Sequence, residues 1–103
     1  MDIRDVLAIE IMNWTTDEES GKWVTDNGLI NKSSWHPNTD IDDAWILLEQ
    51  FEECLVSKIS NGLNYSASIL KDEVEYSGFG YSPSNAIVNV MVEYLKSNGV
   101  TTE

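Results

Sequence analysis

Apolar residues recur at helical spacing in three stretches of the chain and alternate with polar residues in the stretches between. From Asp2 to Trp14, Ile3, Val6, Leu7, Ile11 and Trp14 fall every three or four positions, with Asp2 placed as an N-cap and Asp5 in the first turn. This spacing predicts an amphipathic helix. After a polar, acidic turn from Thr15 to Gly21, Trp23-Val24 and Leu29-Ile30 flank Thr25-Asp26-Asn27-Gly28. That segment suits a short hairpin, because Gly28 can take the positive φ of a tight turn. Asn31 to Asn38 reads as a loop, in which Pro37 biases His36 away from helix.

Thr39 and Asp42 have the spacing of a capping box, so a second helix is expected from Thr39 to Ser60, stopped by Asn61-Gly62. Its apolar face would be Ile41, Trp45, Leu48, Phe51, Leu55 and Ile59, leaving Ile46 and Leu47 off that face. Leu63, Tyr65, Ala67 and Ile69 then alternate with Asn64, Ser66 and Ser68, and Val74 and Tyr76 alternate with Glu75 and Ser77 beyond Lys71-Asp72-Glu73. These form a second hairpin. Ser82 as N-cap, Pro83 at the first helical position and Ala86, Ile87, Val90, Met91, Tyr94 and Leu95 predict a third helix closed by Asn98-Gly99, with Val88 off its stripe. The expected fold is a small α+β sandwich, ordered helix, hairpin, helix, hairpin, helix, with an antiparallel sheet packed by three helices. Residues 1–99 make one domain and 100–103 a short tail.

Charge narrows the function classes. The 103 residues carry 18 Asp and Glu against 6 Lys and Arg, a formal charge of −12, with one His and one Cys. A chain of this size buries about 65% of the surface its extended form exposes, enough for a core without disulfides or metal. Its 42% apolar content sets it apart from a disordered acidic chain. Direct binding of DNA or RNA is disfavoured, since the carboxylates repel a phosphate backbone over most of the surface. Cys54 has no partner for an internal bridge, Met1-Asp2-Ile3-Arg4-Asp5 does not read as a signal peptide, and no run of about 18 apolar residues occurs. A soluble, intracellular protein is expected.

Catalytic chemistry finds few residues. His36 is the one histidine, in a loop with Ser33 and Ser34 nearby, and no base, nucleophile and orienting group can be assembled around it. No catalytic residue, metal or cofactor is therefore assigned. Asp40-Ile41-Asp42-Asp43 lacks the glycine and terminal glutamate of a calcium loop, and capping explains its acids. Two sets of binding candidates stand out. Trp14, Trp23 and Trp35 sit at element ends or on the short hairpin; with His36, Thr39 and the Tyr81-Ser82 helix start they could line a ligand pocket. Asp42, Glu49, Glu52 and Glu53 would form an acidic stripe on the second helix, with Asp17-Glu18-Glu19 as a further acidic run suited to a basic protein partner.

Several segments resemble the phage ABA sandwich domain family, found in small proteins of phages and prophages of Gram-positive bacteria. The resemblance rests on Val6 to Trp14, on Trp35-His36-Pro37-Asn38-Thr39-Asp40-Ile41 leading into Ala44-Trp45, and on Tyr76 to Tyr81 followed by Ser82-Pro83. The last helix departs from the pattern, carrying Ile87, Val88 and Val90 where alanines are commoner. The resemblance implies an αβ sandwich and a phage origin, hence the cytoplasm of a bacterial host, and brings no catalytic residues. With the acidity, it leads to the expectation of a counter-defence protein that occupies a basic nucleic-acid-binding surface of a host defence effector such as a CRISPR nuclease. A homo-oligomeric sponge for a nucleotide-derived immune signal is the alternative, and a phage structural or regulatory accessory a third. Apolar residues left uncovered at Trp23, Val24, Leu29, Ile30, Ile46, Leu47 and Val88 further suggest a homodimer.

Overall fold

The computed structural model describes residues 2–59 and 65–100. Helix α1 spans Ile3–Glu10, and the Asp2 carboxylate caps it by accepting the Arg4 N–H at 2.9 Å. The helix stops short of Trp14 because Asn13 adopts φ +59°, a left-handed conformation that Asn tolerates better than most residues. Trp14 is thus carried off the helical stripe and begins a small sheet. Strands β1 (Thr15–Thr16), β2 (Trp23–Thr25) and β3 (Gly28–Ile30) pair antiparallel in that order. Gly28, at φ +113°, makes the β2–β3 turn, which the Thr25 hydroxyl closes by donating to the Gly28 carbonyl at 2.8 Å.

A 3-10 turn at Lys32–Ser34 leads to α2, Ile41–Leu48. The cap is Asp40, one residue beyond Thr39: its carboxylate accepts from the Asp42 N–H at 2.9 Å and, more weakly, from Asp43. A carboxylate satisfies two helical donors and meets the helix dipole, which a threonine hydroxyl does less well. Strands β4 (Glu53–Lys58), β5 (Tyr65–Lys71) and β6 (Val74–Gly80) form a second antiparallel sheet with β5 in the centre. Lys71 pairs with Val74, so Asp72 and Glu73, both at positive φ, are a two-residue hairpin turn. Helix α3, Pro83–Ser97, closes the order, with the Ser82 hydroxyl accepting from the Asn85 N–H at 3.1 Å. At its other end the Val100 N–H donates to the Leu95 carbonyl at 2.9 Å, and the Val100 side chain packs on the core.

Helix α3 lies across one face of the β4–β5–β6 sheet, and α2 packs against α3. The closeness of the first contact comes from Gly78 and Gly80. A Cβ at Gly78 would stand 2.7 Å from the Val90 Cα, and one at Gly80 2.5 Å from the Ala86 N. Those glycines let the helix backbone approach the strand, which seats Ala86, Ile87, Val90 and Met91 in the core with Ala67 and Ile69. Val6, Leu7, Ala8 and Ile11 of α1 and Ala44, Leu47 and Leu48 of α2 complete it. Phe51, Tyr94 and Tyr76 meet edge to face, 5.1 Å between successive ring centroids, joining the chain after α2 to α3 and β6.

Four expectations change. The second helix is eight residues long, and the stretch expected to extend it becomes β4, so among the described residues two three-stranded sheets stand in place of one. The end expected at Ser60 and the Asn61-Gly62 stop lie outside the described residues, as do Leu63 and Asn64. The buried face of α2 is Ala44, Leu47 and Leu48; Trp45 is 50% exposed and Leu47 fully buried. A stripe drawn through the largest side chains selected the wrong side, because the segment also matches a strand. Val88 and Trp23 are buried as well, so of the residues expected to remain uncovered and favour a homodimer, Trp23, Leu47 and Val88 are unavailable.

Leu47→Ala should cost about 2 to 5 kcal/mol in urea unfolding, the usual range for an emptied core position. Trp45→Ala should cost less than about 1 kcal/mol, and equal losses would restore the other helix face. Gly78→Ala should destabilise by about 1 to 3 kcal/mol, as α3 is forced off the sheet. A melting curve matching the parent would contradict this packing.

Candidate functional site

Two concavities combine chemistry with exposure. The first follows from strand alternation in the β4–β5–β6 sheet. Gly78 faces α3, and its cross-strand partners Ala67 and Val56 share that face, so their neighbours along each strand point the other way. The register sets Glu53, Leu70 and Glu75 in one row, Leu55, Ser68 and Ser77 in the next, and Ser57, Ser66 and Phe79 in the third. At a strand spacing of about 4.8 Å, Glu53 and Glu75 stand roughly 10 Å apart across Leu70. Leu55 and Phe79 are 63% and 59% exposed on this face. Along its Glu53–Glu75 end runs an open groove of about 630 Å³, to which Glu52 adds a third carboxylate.

The second is a cleft of about 470 Å³ between α2 and the small sheet, walled by Trp14 and Trp35 and bordered by Asp26, Asp43 and Glu49. Its aromatic wall is built into the core. Trp14 meets Trp35 edge to face at 4.8 Å and Trp23 at 6.4 Å, while Trp23 and Trp35 are buried. Trp35 donates its indole N–H to the Arg4 carbonyl at 2.9 Å. The Trp23 indole N–H, by contrast, is the buried side-chain polar group without a partner among the described residues, an omission that typically costs about 1 to 3 kcal/mol. The Lys32 ammonium lies 4.1 Å above the Trp23 ring and also donates to the Thr16 hydroxyl at 2.8 Å.

His36 belongs to the packing of this region. Its Nδ1 lies 3.0 Å from an Arg4 guanidinium nitrogen, which can only donate, so Nδ1 accepts. Its backbone N–H donates to the Asp43 carboxylate at 2.9 Å. Arg4 also forms an ion pair with Asp2 at 3.1 Å, and the hydrogen bonds from Arg4 hold the Asp2 carboxyl below its ordinary range. Arg4 is thus occupied on two sides.

The remaining pocket candidates do not converge on the tryptophans. Thr39 is exposed and caps nothing, and the donors after it are taken by the Asp40 carboxylate, with the acids Asp42 and Asp43 in the same turn, which makes that helix end a poor host for phosphate. Tyr81 is 80% exposed at the β6–α3 junction. There the Tyr81 N–H donates to the Asn85 carboxamide oxygen at 3.2 Å and Ser82 caps the helix, so local side chains already satisfy these groups. The two glycines before this helix are taken up by the close approach of α3.

The acidic candidates separate as well. Asp42 and Glu49 lie on and just after α2, Glu52 precedes β4, and Glu53 is on β4, so they are no single helix stripe. Asp17 closes its own turn by accepting from the Ser20 N–H at 3.1 Å and the Ser20 hydroxyl at 2.6 Å, beside exposed Glu18 and Glu19. Sequence reasoning missed Glu75, Leu55 and Phe79 as members of one surface with Glu53. The alternation of β6 already put Glu75 opposite Val74 and Tyr76; the absent signal was that Glu53 to Lys58 is also a strand. Among the described residues, no three His, Cys, Asp or Glu side chains gather as a metal site, and no helix is long and apolar enough to cross a membrane.

No curated protein sequence matches the chain. In three dimensions it is similar to a phage protein from Bacillus cereus ATCC 14579 known from a 2.0 Å crystal structure, with a TM-score of 0.66 over 89% of this chain and 84% of that one. At 16% identity this likeness speaks to the fold. At the sequence level, a family description, the phage ABA sandwich domain, matches residues 5–89, from the first turn of α1 to the middle of α3. That span takes in both sheets and the glycine seam beneath α3, and the chain belongs to the phage ABA sandwich domain family.

Proposed function

We propose that this phage protein is a binding protein without turnover, which uses its negative charge to occupy a basic nucleic-acid-binding surface of a host defence effector such as a CRISPR nuclease. One observation carries the reading. Among the described residues a single ion pair forms, Arg4 with Asp2, although the chain holds 18 carboxylates. The negative field is therefore not cancelled locally by the fold. Such a field speeds encounter with a positive surface and repels nucleic acid from the same place, the two requirements of a competitor. A magnitude of about 2 to 8 is enough to keep a small domain soluble, and this chain exceeds it.

A nucleotide sponge finds less support. Trp23 and Trp35 are buried, the starts of α2 and α3 are capped by the chain's own side chains, and the tryptophan cleft is bordered by three carboxylates that disfavour a phosphate. Two of the cations that could offset them, Arg4 and Lys32, already have partners.

Displacement of a fluorescent DNA duplex from a purified CRISPR nuclease tests the reading. The protein should release the duplex at low micromolar concentration in about 50 mM KCl, and at least about tenfold less effectively in about 300 mM KCl, since screening shortens the reach of the field. No displacement, or displacement indifferent to salt, would contradict it.

A further inference from the structure

The proposed charge-driven binding leaves open where on the surface the partner sits. Resting on that reading, we propose that the face of the β4–β5–β6 sheet opposite α3 is a docking surface for a basic protein segment that also carries apolar side chains. Arginine or lysine would meet Glu53 and Glu75, and aliphatic residues would meet Leu55, Leu70 and Phe79.

The composition of the face selects this occupant. Leu55 and Phe79 are large and more than half exposed, whereas the equivalent positions on the other face, Val56 and Ala67, lie beneath α3. Scattered exposed leucines are ordinary on a protein surface. Here the exposed Leu55 and Phe79 share one sheet face with Leu70, which lies between Glu53 and Glu75 at one end of that face. Exposed apolar side chains beside a charged margin suit a protein partner. Three carboxylates, Glu52, Glu53 and Glu75, border the groove, and no lysine or arginine lines it.

The same charges exclude the other occupants. A nucleic acid or an anionic membrane would bring phosphates against the three glutamates. A second copy of this chain, paired face to face, would offer Glu53 and Glu75 no cation, since among the described residues no lysine or arginine lines the groove beside them. A segment with basic and aliphatic residues two positions apart satisfies both parts: an extended chain places residues i and i+2 on one side, about 7 Å apart, a spacing comparable with the rows of this sheet. Ser68 and Ser77 in one row and Ser57 and Ser66 in the next offer hydroxyls for the polar groups of the incoming segment.

The probe is a short synthetic peptide of repeating Arg-Ser-Leu-Ser, which brings Arg and Leu to one side of an extended chain, titrated into the 15N-labelled protein in about 50 mM KCl. Shifts should concentrate on Glu53, Leu55, Ser68, Leu70, Glu75 and Phe79. The pair Glu53→Gln and Glu75→Gln should weaken binding by at least about fivefold, while Asp42→Asn with Glu49→Gln, which removes the same charge from the α2 region, should change it less than about twofold. Amide spectra dispersed like the parent's establish that both variants are folded. Shifts centred elsewhere, equal losses from the two pairs, or self-association of the free protein through this face would overturn the proposal. DNA displacement with no peptide response on the sheet would leave the charge-based function standing and remove this face; a peptide response without displacement would do the reverse.

Discussion

The contact between α3 and β6 is the constraint on which the rest of this structure depends. At Gly78 and Gly80 the helix backbone comes so near the strand that there is no room for a side chain. Everything central to the core is positioned by that approach: Ala86, Ile87, Val90 and Met91 reach the sheet, and α2 can then rest on the outer side of α3. Small residues on the strand and aliphatic residues on the helix act as one complementary surface. The asymmetry of the sheet has the same origin. Because α3 covers one face so closely, the alternation of each strand consigns Glu53, Leu55, Glu75 and Phe79 to the other.

Polar groups divide in a comparable way. At the helix starts Asp2, Asp40 and Ser82 accept backbone N–H groups, and His36 and Asp43 hold the loop before α2 to α1 through Arg4. These groups serve the fold. The carboxylates outside such roles meet few cations, and it is they that give the protein its field. A division of polar residues into capping groups and, among the described residues, surface acids with few cations beside them is the physical basis of the proposed function.

Much of this was legible in the sequence, and particular residues explain what was not. Ser82-Pro83 and Asn98-Gly99 bracket α3 because caps act locally and leave a direct signature. The β5–β6 hairpin is equally plain from its alternation. The region after Leu48 misleads because Phe51, Leu55 and Ile59 continue a spacing of four, while Glu53 to Lys58 also alternates. Only the tertiary demand of β5 for a second partner decides between the two. Trp45 illustrates the related difficulty: hydrophobic size favoured it for the core, but the face that fits α3 is the one bearing Ala44, Leu47 and Leu48. The candidate face was hidden by that same error, since Glu53 and Leu55 cannot share a surface with Glu75 and Phe79 until β4 is recognised as a strand. The tryptophans, taken as pocket walls, pack on one another, and Trp14 and Trp35 also wall the cleft beside α2.

The account comes down to a sheet with one face packed against α3 and the other proposed to meet a basic partner. Hydroxyl-radical footprinting of the protein, alone and with the Arg-Ser-Leu-Ser peptide, tests it most directly. Leu55 and Phe79 should be modified readily in the free protein while Ile87 and Met91 are spared, and both should become protected when the peptide is added. Protection of Leu55 and Phe79 in the free protein, or undiminished modification with the peptide bound, would contradict it.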